Sequence, residues 1–73
     1  MTLREALEEK EYIIKSIESD DEELDAFLFS LGCYSGEPIT VISHRKSGCT
    51  VSIKDGRYNF DSQLAEVIYI EEK

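Results

Sequence analysis

Hydrophobic spacing in the first half of the chain indicates one amphipathic helix. Four apolar residues fall at i, i+3, i+4 and i+7, the spacing of one buried face: Leu24, Phe27, Leu28 and Leu31. Asp20 is a suitable N-cap for this helix, and Glu23 then occupies the capping-box position. Gly32 directly follows the stripe, so we expect it to adopt positive φ and to end the helix. Phe29 lies about 140° around the helix from Leu24 and therefore points away from the stripe.

From Pro38 onward the hydrophobic period changes to two, which predicts β-strands. The expected inward positions of three successive strands are Ile39, Val41 and Ser43, then Cys49, Val51 and Ile53, then Tyr58 and Phe60. Further strands are predicted over Glu11–Ser19, from its isoleucines, and over Val67–Glu71. Single helical turns are predicted after Thr2 and from Asp61.

Glycines mark the predicted turns between these elements. The four are Gly32, Gly36, Gly48 and Gly56. Arg45–Gly48 predicts a four-residue hairpin connection, and Asp55-Gly56 predicts a two-residue type I′ turn, which requires positive φ at both central residues. Five short strands, a helix between the first two and a helical turn before the last are typical of a mainly β, SH3-like barrel. We expect residues 1–73 to form a single domain of this kind.

Charge and length narrow the possible partners. Sixteen acidic and eight basic residues give the 73-residue chain a net charge of −8, of which residues 1–29 carry −7 and residues 30–60 carry +2. Such a chain repels nucleic acid and anionic membrane surfaces on average and attracts basic protein surfaces. A domain this small has a thin core, which favours surface binding over a deep catalytic cavity. No segment has the pattern of a membrane span or signal peptide, so we expect a cytoplasmic protein without membrane insertion.

No catalytic or metal site is predicted. The acidic run from Glu18 to Asp25 resembles half an EF-hand loop, but Ala26 stands where that loop needs glycine, and we interpret the run as a solvated helix N-terminus. Three side chains are soft metal ligands: Cys33, His44 and Cys49. Their spacing matches no zinc or iron motif, and no third group would orient a Cys–His nucleophile. We therefore expect no enzyme activity, no cofactor and, in a reducing compartment, no disulfide.

Exposed side chains are the better candidates for function. Phe29 lies off the helical stripe, and Cys33 and Tyr34 follow in a turn that we expect to be exposed. Basic residues gather at the hairpin ends, where they could contact phosphate or be ordinary charged turns: His44, Arg45, Lys46, Lys54 and Arg57. The four tyrosines could line a groove for proline-rich peptides, or simply pack their rings. The predicted partner interface comprises Phe29, Cys33, Tyr34, Arg45 and Lys46.

The order of these motifs resembles the FeoA family, small accessory proteins of bacterial ferrous iron uptake. The family's Leu-x-x-Leu-Gly-Leu-x-Pro-Gly segment corresponds to residues 28–36, its Val-x-Val strand to 39–41, its Gly-x-Pro-Ile-x-Val strand to 48–53, and its closing pattern to 58–60, Ala65 and 68–70. The chain departs from the family at three places: Glu9-Lys10 replaces Pro-Gly, Ser35 replaces proline, and Asp61-Ser62-Gln63 replaces basic residues.

The resemblance implies an SH3-like fold, no catalysis, and interaction with FeoB, a membrane transporter with a cytoplasmic GTP-binding domain. A second copy of the chain is the other candidate partner. SH3-like modules similar to this one also occur in iron-dependent repressors, which leaves a metal-responsive regulatory module as the alternative function. The chain has no helix-turn-helix with which to act on DNA itself.

Overall fold

Five antiparallel strands and two helices form the architecture of the computed structural model, which describes all residues from 1 to 73. A 3₁₀ turn at Leu3–Glu5 precedes β1 (Lys10–Ile17), α1 (Glu22–Leu31), β2 (Pro38–Arg45), β3 (Gly48–Ile53), β4 (Gly56–Asp61), α2 (Ser62–Val67) and β5 (Ile68–Glu72). The strand order is β4-β3-β2-β1-β5, and every pairing is antiparallel. This arrangement confirms the predicted mainly β, SH3-like fold.

Two irregularities bend the sheet around its core. The register shifts between Ile14 and Ser16 in β1, and between Val41 and Ser43 in β2. A bulge of this kind bends its strand and increases the local twist. Because β1 and β2 both lie in the interior of the sheet, these bends curl it, and its concave face encloses the hydrophobic residues.

The core is almost entirely apolar. Its fifteen buried residues are Leu3, Ala6, Tyr12, Ile14, Leu28, Cys33, Ile39, Val41, Cys49, Val51, Ile53, Phe60, Ala65, Ile68 and Ile70. The expected alternation in β3 is confirmed, since Cys49, Val51 and Ile53 are all buried. Tyr12 is also a core residue, and its hydroxyl accepts a hydrogen bond of 2.9 Å from the Leu7 N–H. It is therefore unavailable for a peptide-binding groove.

Only the centre of the predicted stripe on α1 is buried. Leu28 is fully buried, and Leu24 and Leu31 are half-buried against the core. Phe27, which we expected to be buried, is 52% exposed, and Phe29 is 65% exposed. Successive residues turn by about 100°, so Phe27 and Phe29 project on either side of Leu28. The contact between α1 and the sheet is too narrow to cover either ring.

Both ends of α1 are capped by side-chain or backbone groups. The N-cap is Asp21 rather than Asp20, and its carboxylate accepts from the N–H groups of Glu23 and Leu24 at 3.0 and 3.2 Å. Gly32 has φ of 92°, and its N–H donates to Phe29 O at 3.0 Å. The predicted left-handed end of the helix is confirmed.

We expect Gly32→Val to lower the free energy of unfolding by more than about 1 kcal/mol, because side chains with a Cβ are strained in the left-handed region. An added Cβ would also lie 2.6 Å from Lys54 Cε and displace that side chain. Urea unfolding followed by circular dichroism measures the change. Gly32→Asn, which tolerates this conformation better, should cost less. A valine variant as stable as the unchanged protein would contradict this assignment.

The hairpin turns differ from those expected. The β2–β3 connection is the two-residue turn Lys46-Ser47, since Arg45 already pairs with Gly48. The β3–β4 turn is Lys54-Asp55, with Gly56 paired to Ile53. Lys54 has φ of 53°, whereas Gly56 does not have positive φ, so the predicted type I′ turn at Asp55-Gly56 is wrong.

Gly56 has a packing role instead of a turn role. A Cβ at this position would lie 2.3 Å from the hydroxyl oxygen of Tyr58 and 2.6 Å from its Cζ. The absence of a side chain at Gly56 therefore lets the Tyr58 ring lie across the strand. That packing, rather than a peptide groove, accounts for the half-buried state of Tyr58.

Two departures from the family pattern have local structural reasons. Glu9, which stands in the Pro-Gly position with Lys10, has φ of 59° and donates its N–H to Val41 O at 2.7 Å. This turn starts β1 at Lys10, one residue earlier than expected. Asp61 is the N-cap of α2, since its carboxylate accepts from the Leu64 N–H at 2.8 Å.

Candidate interaction surface

The side chains predicted to form one interface lie in three different environments. Phe29 and Tyr34 lie together at the end of α1, whereas Arg45 and Lys46 lie at the β2–β3 turn. These places adjoin opposite ends of β3, a six-residue strand whose ends are about 16 Å apart. The five predicted residues therefore do not form one continuous patch.

We expected Cys33 to lie in an exposed turn. It is instead a core residue with 1% of its surface exposed. The reversal at Gly32 directs the chain back over the sheet, and the Cys33 N–H donates to Leu28 O at 2.9 Å. Burial raises the pKa of the Cys33 thiol to about 12 and that of Cys49 to about 11. Both cysteines are unpaired thiols without direct access to a partner.

An exposed aromatic pair is the most prominent apolar feature of the surface. The rings of Phe29 and Tyr34 have centroids 4.8 Å apart and are tilted by 31°. Pairs in this distance range attract each other beyond the effect of buried area. Tyr34 is half-buried and fixes one face of the Phe29 ring, while most of that ring stays in solvent.

Two charged residues also contact Tyr34. Lys54 Nζ lies 5.5 Å from the centroid of the Tyr34 ring and 2.9 Å from Glu37 Oε1. Lys54 lowers the pKa of the Glu37 carboxyl, with the Tyr34 hydroxyl as a second cause, and Glu37 raises the pKa of Lys54. Both groups therefore stay ionised near neutral pH. We call Phe29, Tyr34, Glu37 and Lys54 the aromatic patch.

The aromatic patch presents a partly fixed apolar group beside a neutralised ion pair. Such a surface suits a partner with a hydrophobic pocket, because an exposed ring gains most from burial when it is already ordered. Sequence reasoning found Phe29 and Tyr34 but did not connect Glu37 or Lys54 with them. Glu37 lies three residues after Tyr34, whereas Lys54 reaches Tyr34 only because the β3–β4 turn folds towards the end of α1.

A second feature is a basic depression about the β2–β3 turn. It is lined by Arg4, His44, Arg45, Lys46, Gly48, Ser62 and Ala65. The His44 ring is oriented by a hydrogen bond of 2.8 Å between Nδ1 and Ala6 O. Because a carbonyl can only accept, Nδ1 carries the proton and Nε2 is the nitrogen left for a ligand.

The acidic run is occupied by local hydrogen bonds. Asp21 caps α1, and Asp25 Oδ1 accepts from the Ser19 hydroxyl at 2.7 Å. Nowhere in the chain do three histidine, cysteine, aspartate or glutamate side chains come close enough to hold a metal ion. The three depressions on the surface are lined mainly by polar residues. None of the helices combines the length and apolarity needed to cross a membrane.

Solved structures confirm the fold. The chain aligns with an iron uptake regulatory protein, FeoA, at a TM-score of 0.87 and 21% identity, covering 97% of this chain and 95% of that one. It aligns with a manganese-dependent transcriptional repressor at a TM-score of 0.90 and 16% identity, covering 100% of this chain and 41% of the repressor. Iron(II) transport protein A from Clostridium thermocellum gives 0.86 and 22%, with 99% of this chain and 45% of that one covered.

Sequence comparison identifies the family. No curated protein sequence is similar enough to count as a relative. The FeoA domain model, however, matches residues 1–72, which is almost the entire chain. This match agrees with the order of motifs along the sequence and with the five-stranded fold. The chain belongs to the FeoA domain family.

Proposed function

We propose that this chain is a non-catalytic, cytoplasmic accessory protein of ferrous iron uptake that binds the cytoplasmic part of an FeoB-type transporter through the aromatic patch. Family membership supports the iron-transport context. The observation that carries the choice of surface is Phe29, which is 65% exposed yet stacked on Tyr34. Phe27 is the other exposed phenylalanine, at 52%, but its ring does not stack on another aromatic ring.

Burial of the Phe29 ring supplies a large part of the binding energy in this proposal. Transferring a phenylalanine side chain from water to an apolar pocket stabilises a complex by about 1.5–3 kcal/mol. Tyr34 restricts the ring before binding, so less conformational entropy is lost when the complex forms. The expected contribution is that of a hot-spot residue at the centre of an interface.

The negative charge of this chain predicts which residues surround the partner's pocket. Glu22, Glu23 and Asp25 lie in the first turn of the helix that carries Phe29, and the chain as a whole has a net charge of −8. A partner with basic residues around its apolar pocket would associate faster with this surface and would bind more weakly at high salt. The expected pocket on the partner is therefore apolar at its centre and basic at its rim.

Phe29→Ala should weaken binding to the cytoplasmic domain of the transporter about tenfold or more, because it removes the exposed ring and little of the core. Isothermal titration or a quantitative pull-down measures the affinity. The melting temperature should change by only a few degrees, as for other surface substitutions.

Phe27→Ala is the matched control. It removes an exposed phenylalanine from the opposite flank of α1, about 160° away around the helix. We expect this variant to bind the transporter domain almost normally. Equal losses in the two variants would indicate a general effect on the helix, and a loss only in Phe27→Ala would contradict the aromatic patch. Sedimentation of both variants tests whether the same patch joins two copies of this chain.

A metal-responsive regulatory module is the second candidate function. Its support is the alignment of the whole chain with a manganese-dependent transcriptional repressor at a TM-score of 0.90. In that case the isolated chain would bind a divalent transition metal.

Anaerobic calorimetry with Fe(II), Mn(II) and Zn(II) separates the two functions. We expect no binding tighter than about 10 μM, because the cysteines are buried thiols with raised pKa values and His44 has no neighbouring ligand set. Tight 1:1 binding that is abolished by Cys33→Ser or His44→Ala would support the regulatory module instead.

A further inference from the structure

Two neighbouring basic side chains form no ion pair, although the chain has twice as many acidic as basic residues. Four of the eight basic residues form ion pairs, namely Arg4, Lys10, Lys54 and Lys73. Arg45 and Lys46 form none, although they are adjacent at one turn. With sixteen carboxylates available, the fold leaves both charges free at the same place.

The basic depression gathers these charges with groups from other segments. Arg4 comes from the N-terminal 3₁₀ turn, His44 and Arg45 from the end of β2, and Ser62 from the start of α2. No carboxylate lines the depression. It measures about 350 Å³, which admits a small anionic ligand together with an organic group attached to it.

Two carboxylates that do not line the depression accept hydrogen bonds from residues that do. Glu66 Oε1 accepts from Arg4 Nη1 at 2.5 Å, and Glu8 Oε2 accepts from the His44 N–H at 2.7 Å. Together with the bond from His44 Nδ1 to Ala6 O, these contacts fix the arginine and the imidazole before any ligand arrives. Preorganisation of this kind reduces the entropic cost of binding.

We propose that the basic depression binds a phosphate group. A phosphate carries up to two negative charges and several acceptor oxygens, which match the guanidinium of Arg45, the ammonium of Lys46 and the hydroxyl of Ser62. A single carboxylate would use fewer of these donors. The net charge of −8 opposes every anion at long range, so the affinity is modest and falls as the salt concentration rises.

Titration of the ¹⁵N-labelled chain with sodium phosphate, at constant ionic strength kept with chloride, tests the proposal. We expect saturable shifts confined to the amides of Arg45, Lys46 and Ser62 and to the His44 ring. The double variant Arg45→Gln, Lys46→Gln should weaken binding about tenfold or more. Arg57→Gln, which removes an exposed cation that also lacks an ion pair but lies outside the depression, should bind normally.

The source of the phosphate group is distinguished by a parallel titration with ATP. Binding about tenfold tighter for ATP than for inorganic phosphate indicates a nucleotide or similar phosphate ester, and comparable affinities indicate the free ion. The proposal is overturned if neither compound gives saturable shifts up to about 50 mM, or if Arg57→Gln weakens binding as much as the double variant. It is also overturned if a glutamate-rich peptide shifts these amides and both phosphate compounds do not.

Discussion

Gly48→Ala should destabilise the fold by about 3 kcal/mol or more, because backbone strain and overpacking act together at this position. Gly48 has φ of 151°, a conformation that residues with a Cβ rarely adopt. An alanine Cβ would lie 2.1 Å from Phe60 O and 2.8 Å from Asp61 Cα. Both obstacles are backbone atoms of the neighbouring strand, so relief requires β3 and β4 to separate where Gly48 pairs with Asp61.

Gly36→Ala is the control for this prediction. Gly36 also has positive φ, at 92°, but an added Cβ would meet no atom within 4 Å. The expected cost is that of strain alone, about 1 kcal/mol. Urea unfolding of both variants measures the difference. Equal losses in the two variants would show that the close approach of β4 does not constrain Gly48.

Gly48 also illustrates what sequence patterns cannot supply. The pattern marks a glycine near a turn, and a turn role was therefore expected. Its constraint comes instead from Phe60, twelve residues away, whose carbonyl occupies the space of a side chain. Gly56 differs, because the ring that occupies its side-chain space belongs to Tyr58, two residues further along the same strand. Turn statistics detect neither this packing along a strand nor the contact at Gly48, which exists only after the strands have paired.

The C-terminal end of α1, by contrast, could be predicted from the sequence. Gly32 was predictable because the last apolar residue, the chain reversal and the need for positive φ all coincide at one position. The exposure of Phe27 was not predictable, since hydrophobic periodicity gives the direction of a helix face but not its width. α1 meets the sheet through a strip barely wider than Leu28. A helix packed on both sides of that strip would have buried Phe27.

The candidate site was predictable only in its aromatic part. Phe29 projects off the stripe by helix geometry alone, which any helix with this sequence would share. Cys33, one residue after the cap, turns inward because Gly32 reverses the chain over the core. Arg45 and Lys46 belong to a different end of the sheet, and only the fold separates them from Tyr34. The sequence alone could not show that the β2–β3 turn and the end of α1 lie far apart.

Leu28→Ala should release α1 from the sheet. Although Leu28 is not part of the aromatic patch, this release should abolish partner binding there. Leu28 is the only fully buried residue of the helix, and truncation of a buried leucine costs about 2–5 kcal/mol. Phe29 follows it directly, so a helix that detaches carries Phe29 away from Tyr34. Native-state hydrogen exchange should then show that the amides of α1 lose their protection while those of β2 and β3 keep it.

Leu24→Ala is the matched control, because it truncates a half-buried leucine one turn earlier on the same helix. We expect a smaller loss of stability, and protected amides in the second half of α1. Partner affinity should fall strongly for Leu28→Ala and little for Leu24→Ala. If Leu28→Ala instead lowered the protection of every strand equally, α1 would be an integral part of the cooperative core. The idea of a helix held on the sheet by one buried residue would then be wrong.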